Sequence, residues 1–200
     1  PVSPPLEPGE HLDLLKEAIA AEAGAHRALR AGDADTAGYG FRAAERRYRA
    51  SWEIAPPGSY GRLVGMLKAA VLAGDATGAA AFARAALGDE AGSPTASYAL
   101  AIALMVDGED DAAAAAAAGM RDGDEPFGRA AAAIQALAAR DHPAYTEALR
   151  AIVEDFEGRT DHLTGVPIAD TALMLEAFAE PRGMAVQPVS PLMPRLPAQA

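Results

Sequence analysis

AAVLAGDATGAAAFARAAL, residues 69–87, decides the fold class of this 200-residue chain. An apolar segment runs into Gly74-Asp75, and a second alanine-rich segment leaves it. Glycine commonly ends a helix in the left-handed backbone conformation, and aspartate favours the N-terminal cap of the next helix. The stretch therefore predicts two helices joined by a tight turn.

The same turn recurs along the chain. Gly32, Gly74, Gly108 and Arg140 hold equivalent positions, 42, 34 and 32 residues apart. Such intervals are typical of helix–turn–helix repeats that stack into arrays. Because alanine strongly favours helices and no segment alternates with the period of a strand, we predict an all-α array of helical hairpins with about nine helices.

The two ends of the chain differ from this body. Residues 1–8 are proline-rich, and we expect them to be poorly ordered. Residues 181–200 also contain several prolines, which oppose a helix, and their apolar residues favour an extended strap along the body. The whole, residues 1–200, is predicted to be a single domain.

Charge and composition limit the functions to consider. The chain has 17 Lys+Arg against 28 Asp+Glu and a formal net charge of −11, which repels nucleic acid and anionic membranes and attracts basic proteins. Cysteine is absent, so a thiolate metal site is excluded. No apolar run is long enough to cross a bilayer and no signal peptide is visible, so we expect a cytoplasmic protein without cofactor or metal.

The second predicted helix, residues 34–54, carries an arginine stripe. Arg42, Arg46 and Arg49 recur at helical spacing on one face, and Phe41, Tyr48 and Trp52 lie on a neighbouring face that should enter the core. Two interpretations stay open for the arginines. They could form a solvated face with ion pairs inside the helix, or a stripe that binds a partner's carboxylates.

Acidic residues concentrate in the turns, above all in the run DGEDD at 107–111. This run lacks the positions of a calcium-binding loop, so helix capping with surplus acid is the better interpretation. We nevertheless take Asp107, Asp110 and Asp111 as candidates for contact with a basic partner, although solubility explains them equally well.

Motifs for catalysis are scarce. No phosphate loop, dinucleotide fingerprint, nucleophile elbow or His-Glu-x-x-His pattern occurs, and no two of the four histidines have ligand spacing. One dense cluster of ionisable residues remains near the C-terminus: Asp155, Glu157, Arg159, Asp161, His162 and Asp170. A loop of this composition usually serves capping and solvation, so we predict no catalytic residue.

Two resemblances follow from these residues. The phrase Leu72-Ala73-Gly74-Asp75 resembles the turns of tetratricopeptide-type hairpins, without the regular Trp, Tyr and Pro positions of that consensus. Residues 166–179, then Arg182-Gly183-Met184-Ala185-Val186 and Ser190-Pro191-Leu192-Met193-Pro194, are similar to the C-termini of actinobacterial immunity proteins of family 49. That family is all-α and attributed to polymorphic toxin systems.

These resemblances imply a non-catalytic protein-binding module. The leading expectation is an immunity-type inhibitor that masks a cognate, basic toxin, as in toxin–antitoxin pairs. The alternative is a general tetratricopeptide-like adaptor or scaffold. The third choice is a small-molecule enzyme that uses the Asp155–Asp170 region.

Overall fold

The computed structural model describes residues 9–88 and 92–195, and the predicted disordered lead at 1–8 lies outside them. The described residues form nine α-helices and one 3-10 turn, with no β-strand, which confirms the all-α prediction. The elements are α1 (Glu10–Arg30), α2 (Ala34–Glu53), α3 (Gly61–Leu72), α4 (Thr77–Leu87), α5 (Pro94–Asp107), α6 (Asp110–Ala118), α7 (Glu125–Ala138), α8 (His142–Glu157), α9 (Asp170–Ala179) and the 3-10 turn Glu180–Arg182.

The four recurring turn positions share one backbone conformation. Gly32, Gly74, Gly108 and Arg140 have φ values of 77°, 87°, 75° and 56°, all in the left-handed region. Glycine adopts this conformation without steric cost, whereas arginine does so at a cost of about 1–2 kcal/mol. The turn at Arg140 therefore keeps the geometry of the others despite its side chain.

Side-chain caps start three of the described helices, whereas the predicted cap by Asp75 is not formed, because α4 begins at Thr77 with Ala76 in the cap position. Asp33 accepts a hydrogen bond from the backbone N–H of Thr36 at 3.0 Å, and Asp141 caps α8 in the same way at 3.0 Å. Ser93 accepts from the N–H of Ala96 at 3.2 Å, with Pro94 in the first turn of α5. Each cap satisfies an N–H group that has no partner inside its helix.

Consecutive helices pack against one another, and the α1–α2 pair makes the most extensive contact. Helix α3 also packs on α5, and α5 on α7. Helix α9 contacts α3, α7 and α8, and most of its side chains are buried. These neighbours are compatible with a hairpin array, and the repeat interpretation itself stays a prediction.

Small residues bring the helices close together. A β-carbon added to Gly40 of α2 would lie 2.9 Å from the β-carbon of Ala25 in α1. One added to Gly65 of α3 would lie 2.8 Å from the ring of Tyr48. Glycine within a helix costs about 0.5–1 kcal/mol relative to alanine, and here it allows the close approach of neighbouring helices.

Helix α9 begins at Asp170. Residues 167–169 are not helical because their backbone groups bind elsewhere. Arg30 donates to the carbonyl of Pro167 at 3.0 Å, and the N–H of Ala169 donates to the carbonyl of Leu192 at 3.0 Å.

The described part of the C-terminal tail, residues 183–195, runs without helix or strand along the body. Met184 and Leu192 are buried in the core. The carboxylate of Glu176 accepts hydrogen bonds from the N–H groups of Val186 at 3.1 Å and Gln187 at 2.6 Å. The strap prediction is thus confirmed, except that residues 181–182 belong to the 3-10 turn and residues 196–200 lie outside the described residues.

The aromatic face of α2 packs into the core as predicted, most completely at two of its three large residues. Phe41 and Tyr48 are 1% and 2% exposed. Trp52 is only partly buried, because it lies near the end of α2 and packs on Tyr60 with ring centroids 5.6 Å apart. Trp52 thus packs against the core as expected, but it is less completely buried than Phe41 and Tyr48.

Candidate functional site

The outer face of α2 presents a continuous exposed stripe, which we name the α2 seam. Its residues are alternately four and three apart, and all are exposed: Asp35, Tyr39, Arg42, Arg46, Arg49 and Glu53. The opposite face is buried with the same spacing: Ala37, Phe41, Ala44, Tyr48 and Ser51. Tyr39 is 68% exposed, which is unusual for a large aromatic side chain.

The three seam arginines differ in their surroundings. Arg49 pairs with Glu53 at 3.3 Å, and its guanidinium lies 4.0 Å from the ring centroid of Phe82. The guanidinium of Arg42 folds back over Gly38, within 3.4 Å of where a β-carbon would be. Neither Arg42 nor Arg46 forms an ion pair with a residue that the structure describes. The interpretation of ion pairs inside the helix thus applies to Arg49 among the three.

The acidic candidates are mostly engaged within the protein. Asp110 accepts from Arg182 at 2.6 Å and from Arg140 at 2.9 Å. Arg84 joins Asp107 and Glu109, each at 2.6 Å. Asp110 therefore links α6 to the end of the 3-10 turn, and a role for it in partner binding would require competition with Arg182.

Asp111 differs from Asp107 and Asp110. It is exposed in the first turn of α6, where an acidic side chain is favoured by the helix dipole. Its role in binding stays a prediction, as do those of the other two carboxylates.

A group of ionisable side chains lies buried among α1, α2, α3, α5 and α9, and the sequence reasoning missed it. The ammonium of Lys68 lies 2.5 Å from the carboxylate of Asp170 and donates to Thr171 at 3.1 Å. Their side chains are 12% and 17% exposed. We name this group the buried polar cluster; it comprises Glu22, His26, Tyr48, Lys68, Tyr98, Asp170 and Thr171.

Glu22 and His26 occupy successive turns of α1 within this cluster. Tyr48 donates to Glu22 at 2.6 Å, and the Nε2 atom of His26 lies 3.9 Å from the other carboxylate oxygen. The Nδ1 atom of His26 lies 3.1 Å from the hydroxyl of Thr164, and its Nε2 has no hydrogen-bond partner. The histidine is thus fully buried with one satisfied nitrogen, as a structural histidine would be.

Burial shifts the pKa values of this cluster. It raises the pKa of Glu22 to about 7, with the Asp170 charge adding to the effect, and lowers the pKa of His26 to about 4. Burial acts most strongly and opposes the charges of Lys68 and Asp170, but their mutual attraction and hydrogen bond, together with the other neighbouring groups, outweigh it. The pKa of Lys68 is therefore raised and that of Asp170 lowered.

The spacing of Glu22 and His26, four residues apart on an otherwise alanine-rich face, is the signal that could have revealed the cluster. Lys68 gives a second signal, because it interrupts the apolar run of α3. Charged side chains are almost never fully buried unless they are paired, so each needed a partner from a distant element.

The ionisable residues from Asp155 to Asp170 do not form one site. Asp155 binds Arg129 at 2.6 Å and Arg159 at 2.5 Å, whereas Asp170 belongs to the buried polar cluster. His162 stacks on Phe156 with ring centroids 6.2 Å apart. The structure thus divides the cluster that the enzyme hypothesis would use.

A cleft of about 90 Å³ adjoins Asp155. Tyr98, Phe127, Phe156, Arg129 and Arg159 line it, together with Thr171. The hydroxyl of Tyr98 is buried without a hydrogen-bond partner. The cleft has room for a few atoms, well below the 300–1,000 Å³ typical of small-molecule sites.

Two properties of the described helices and side chains complete the geometry. None of the helices combines the length and apolar character that a bilayer crossing requires. Within residues 9–88 and 92–195, no three His, Asp or Glu side chains come together in a group that could hold a metal ion.

Comparison with known proteins gives no relative from which to transfer a role. No protein family, curated protein or solved structure matches this chain.

Proposed function

We propose that this protein acts by binding another protein, and that it is an immunity-type inhibitor which masks a cognate basic toxin. The observation that supports this best is the α2 seam. Tyrosine and arginine are the residue types that most often dominate binding energy at protein interfaces. Here a 68%-exposed Tyr39 shares a face with three exposed arginines in a chain of net charge −11.

Two further observations favour binding over catalysis. The ionisable groups from Asp155 to Asp170 are separated and mostly paired within the protein. The resemblance of residues 166–179, 182–186 and 190–194 to immunity proteins of family 49 is the reason for proposing this particular biological role, and it rests on the sequence alone, since no family model matches the chain.

The alternative is a tetratricopeptide-like adaptor, which the helical body favours equally. The two functions differ in outcome, since an inhibitor abolishes its partner's activity and an adaptor leaves it intact.

The experiment is coexpression with the product of the neighbouring gene. An immunity protein restores the growth of cells that express the neighbouring toxin, and the two proteins purify as a complex. Complex formation without protection would favour the adaptor. Absence of any complex with a neighbouring product would refute the inhibitor.

A matched pair of variants tests the enzyme alternative in the same assay. We expect Asp161→Ala and His162→Ala to protect as well as the parent protein, because neither side chain contributes to the α2 seam. Loss of protection by either variant, with the protein still folded, would favour chemistry at this loop.

A further inference from the structure

The α2 seam has the geometry of a helix-packing surface. Its residues alternate four and three apart, which is the spacing that aligns side chains along one side of a helix for contact with another helix. From Tyr39 to Glu53 the seam extends about 21 Å at the helical rise of 1.5 Å per residue. The buried face of α2 uses the same spacing to pack on its neighbours within the protein.

The charges along the seam are ordered. Asp35 and Glu53 lie at the two ends, and Arg42, Arg46 and Arg49 lie between them beside Tyr39. A guanidinium binds a carboxylate through two parallel hydrogen bonds, so each arginine selects an oxygen pair of defined geometry. The centre of the seam therefore complements a row of carboxylates spaced like the arginines.

We infer that the α2 seam receives an acidic helix of the partner protein, with carboxylates opposite Arg42 and Arg46 and an apolar side chain against Tyr39. This inference rests on the proposed function, since it names the part of the partner that the protein contacts. A helix fits because carboxylates three and four residues apart repeat along one helical face at the same interval as the arginines.

A basic partner can make an acidic contact, because net charge and local charge pairs act over different distances. The net charge of −11 governs the approach of the whole partner molecule. Once the surfaces meet, exposed charges farther apart than about 8 Å are screened at physiological salt, and local pairs decide the fit. The same field acts against long polyanions such as RNA, so carboxylates on a folded helix are favoured over phosphates.

The test uses a synthetic helical peptide of about 20 residues, since shorter helices are marginal in water. A hydrocarbon staple on one face stabilises the helix, and glutamates alternately three and four apart occupy the opposite face. Two control peptides carry glutamine or lysine in place of glutamate. Fluorescence anisotropy of the labelled peptides measures binding at low salt.

Two protein variants with equal loss of charge make the comparison specific. Arg42→Gln/Arg46→Gln alters the seam, and Arg27→Gln/Arg150→Gln removes two exposed arginines from α1 and α8. We expect the seam variant to weaken binding of the glutamate peptide by about tenfold or more, and the control variant by less than about twofold. Circular dichroism checks that both remain folded.

Three results would overturn the inference. The two variants could weaken binding equally, the lysine peptide could bind as well as the glutamate peptide, or single-stranded RNA or phosphatidylglycerol vesicles could bind the seam more tightly than the peptide. Failure here is distinct from failure of the proposed function. If the neighbouring toxin binds and the seam variant still protects, the inference is wrong and the inhibitor stands.

Discussion

Lys68 and Asp170 form a buried ion pair, with the ammonium 2.5 Å from the carboxylate, and this pair connects the middle of α3 to the first residue of α9. Lys68 also donates to the hydroxyl of Thr171, the next residue of α9. The last helix is thus attached through a pair of opposite charges, and burying either charge without the other would be energetically unfavourable.

Removing one partner of this pair should be costly. Lys68→Met leaves the carboxylate of Asp170 buried without its cation, and we expect a loss of about 3–5 kcal/mol in the free energy of unfolding. Urea denaturation measures it. The control is Lys16→Met, whose ion pair with Asp13 has side chains 76% and 72% exposed and should contribute less than about 1 kcal/mol.

The double variant Lys68→Met/Asp170→Leu separates the two causes of that loss. If the cost comes from an uncompensated charge, the double variant is more stable than Lys68→Met alone. A double variant that loses the sum of both single effects would show that Lys68 and Asp170 act independently.

Glu22 and His26 should give opposite pH dependences. Burial raises the pKa of Glu22 from 4.5 to about 7, so its protonated form stabilises the fold below pH 4.5, and this stability is lost as pH rises through about 7. Glu22→Gln removes that term, which amounts to about 3 kcal/mol across this window. Urea unfolding of both proteins at a series of pH values measures the difference.

His26 acts in the other direction. Its pKa is lowered from 6.5 to about 4, so its neutral form stabilises the fold above pH 6.5, and this stability is lost as pH falls through about 4. In the parent protein the two terms oppose each other between about pH 4.5 and 6.5. Glu22→Gln should therefore lose stability with acid over this range, where the parent changes little. Equal pH profiles would contradict the raised pKa of Glu22.

Substitution by alanine should change the stability of the protein in opposite directions at two glycines. Gly108 has φ 75° in the turn after α5, so Gly108→Ala places a β-carbon in the left-handed conformation and should cost about 1–2 kcal/mol. Gly128 lies within α7, and an added β-carbon there meets no atom within 4 Å. Gly128→Ala should stabilise the protein by about 0.5–1 kcal/mol. Thermal unfolding measures the change in stability of each variant. A change of the same sign in both would contradict the left-handed conformation assigned to Gly108 or the free space assigned to Gly128.

The aromatic face of α2 gives a graded prediction. Phe41 is 1% exposed, and Phe41→Ala should cost about 3–5 kcal/mol. Trp52 is partly buried, so Trp52→Ala should cost less than Phe41→Ala, although tryptophan is the larger residue. Chemical denaturation of both variants gives the order, and a greater loss at Trp52 would show that its contact with Tyr60 is the dominant one.

Association with a basic partner should depend on salt. An increase in the salt concentration from about 0.05 to 0.5 M should slow association by about tenfold or more, because salt screens the attraction between the basic partner and a chain of net charge −11. Dissociation should change little, because it depends on the contacts already formed. Stopped-flow mixing measures both rates, and an association rate independent of salt would assign the acidic turns to solubility.

Several helix boundaries were predictable because local chemistry determines them. Asp33, Ser93 with Pro94, and Asp141 start helices through hydrogen bonds to residues three positions later, and Gly32, Gly74 and Gly108 end helices through their own backbone freedom. Each signal lies within a few residues of its effect, so a single sequence is enough to identify it.

Contacts between distant elements were not predictable in this way. Lys68 and Asp170 are 102 residues apart, and neither position alone indicates the other. The arginine stripe was visible from its spacing, but only the structure separates Arg49, which pairs with Glu53, from Arg42 and Arg46. The beginning of α9 is likewise set by distant contacts, because the backbone of Pro167 and Ala169 binds Arg30 and the strap.

The attachment of the C-terminal strap has a consequence for sequence variation. Glu176 binds the backbone N–H groups of Val186 and Gln187, so the recognised feature is the peptide bond and not the side chain. Any residue except proline can supply the N–H group at position 186, although the Val186 side chain also packs against the core and favours an apolar residue there. The range of residues that fit position 187 is narrower, because its φ of 51° favours glycine or asparagine. Homologues should therefore keep the acid at 176, while position 186 varies among apolar residues and position 187 among residues that tolerate a positive φ, so an alignment scored on identity alone would pass over this attachment.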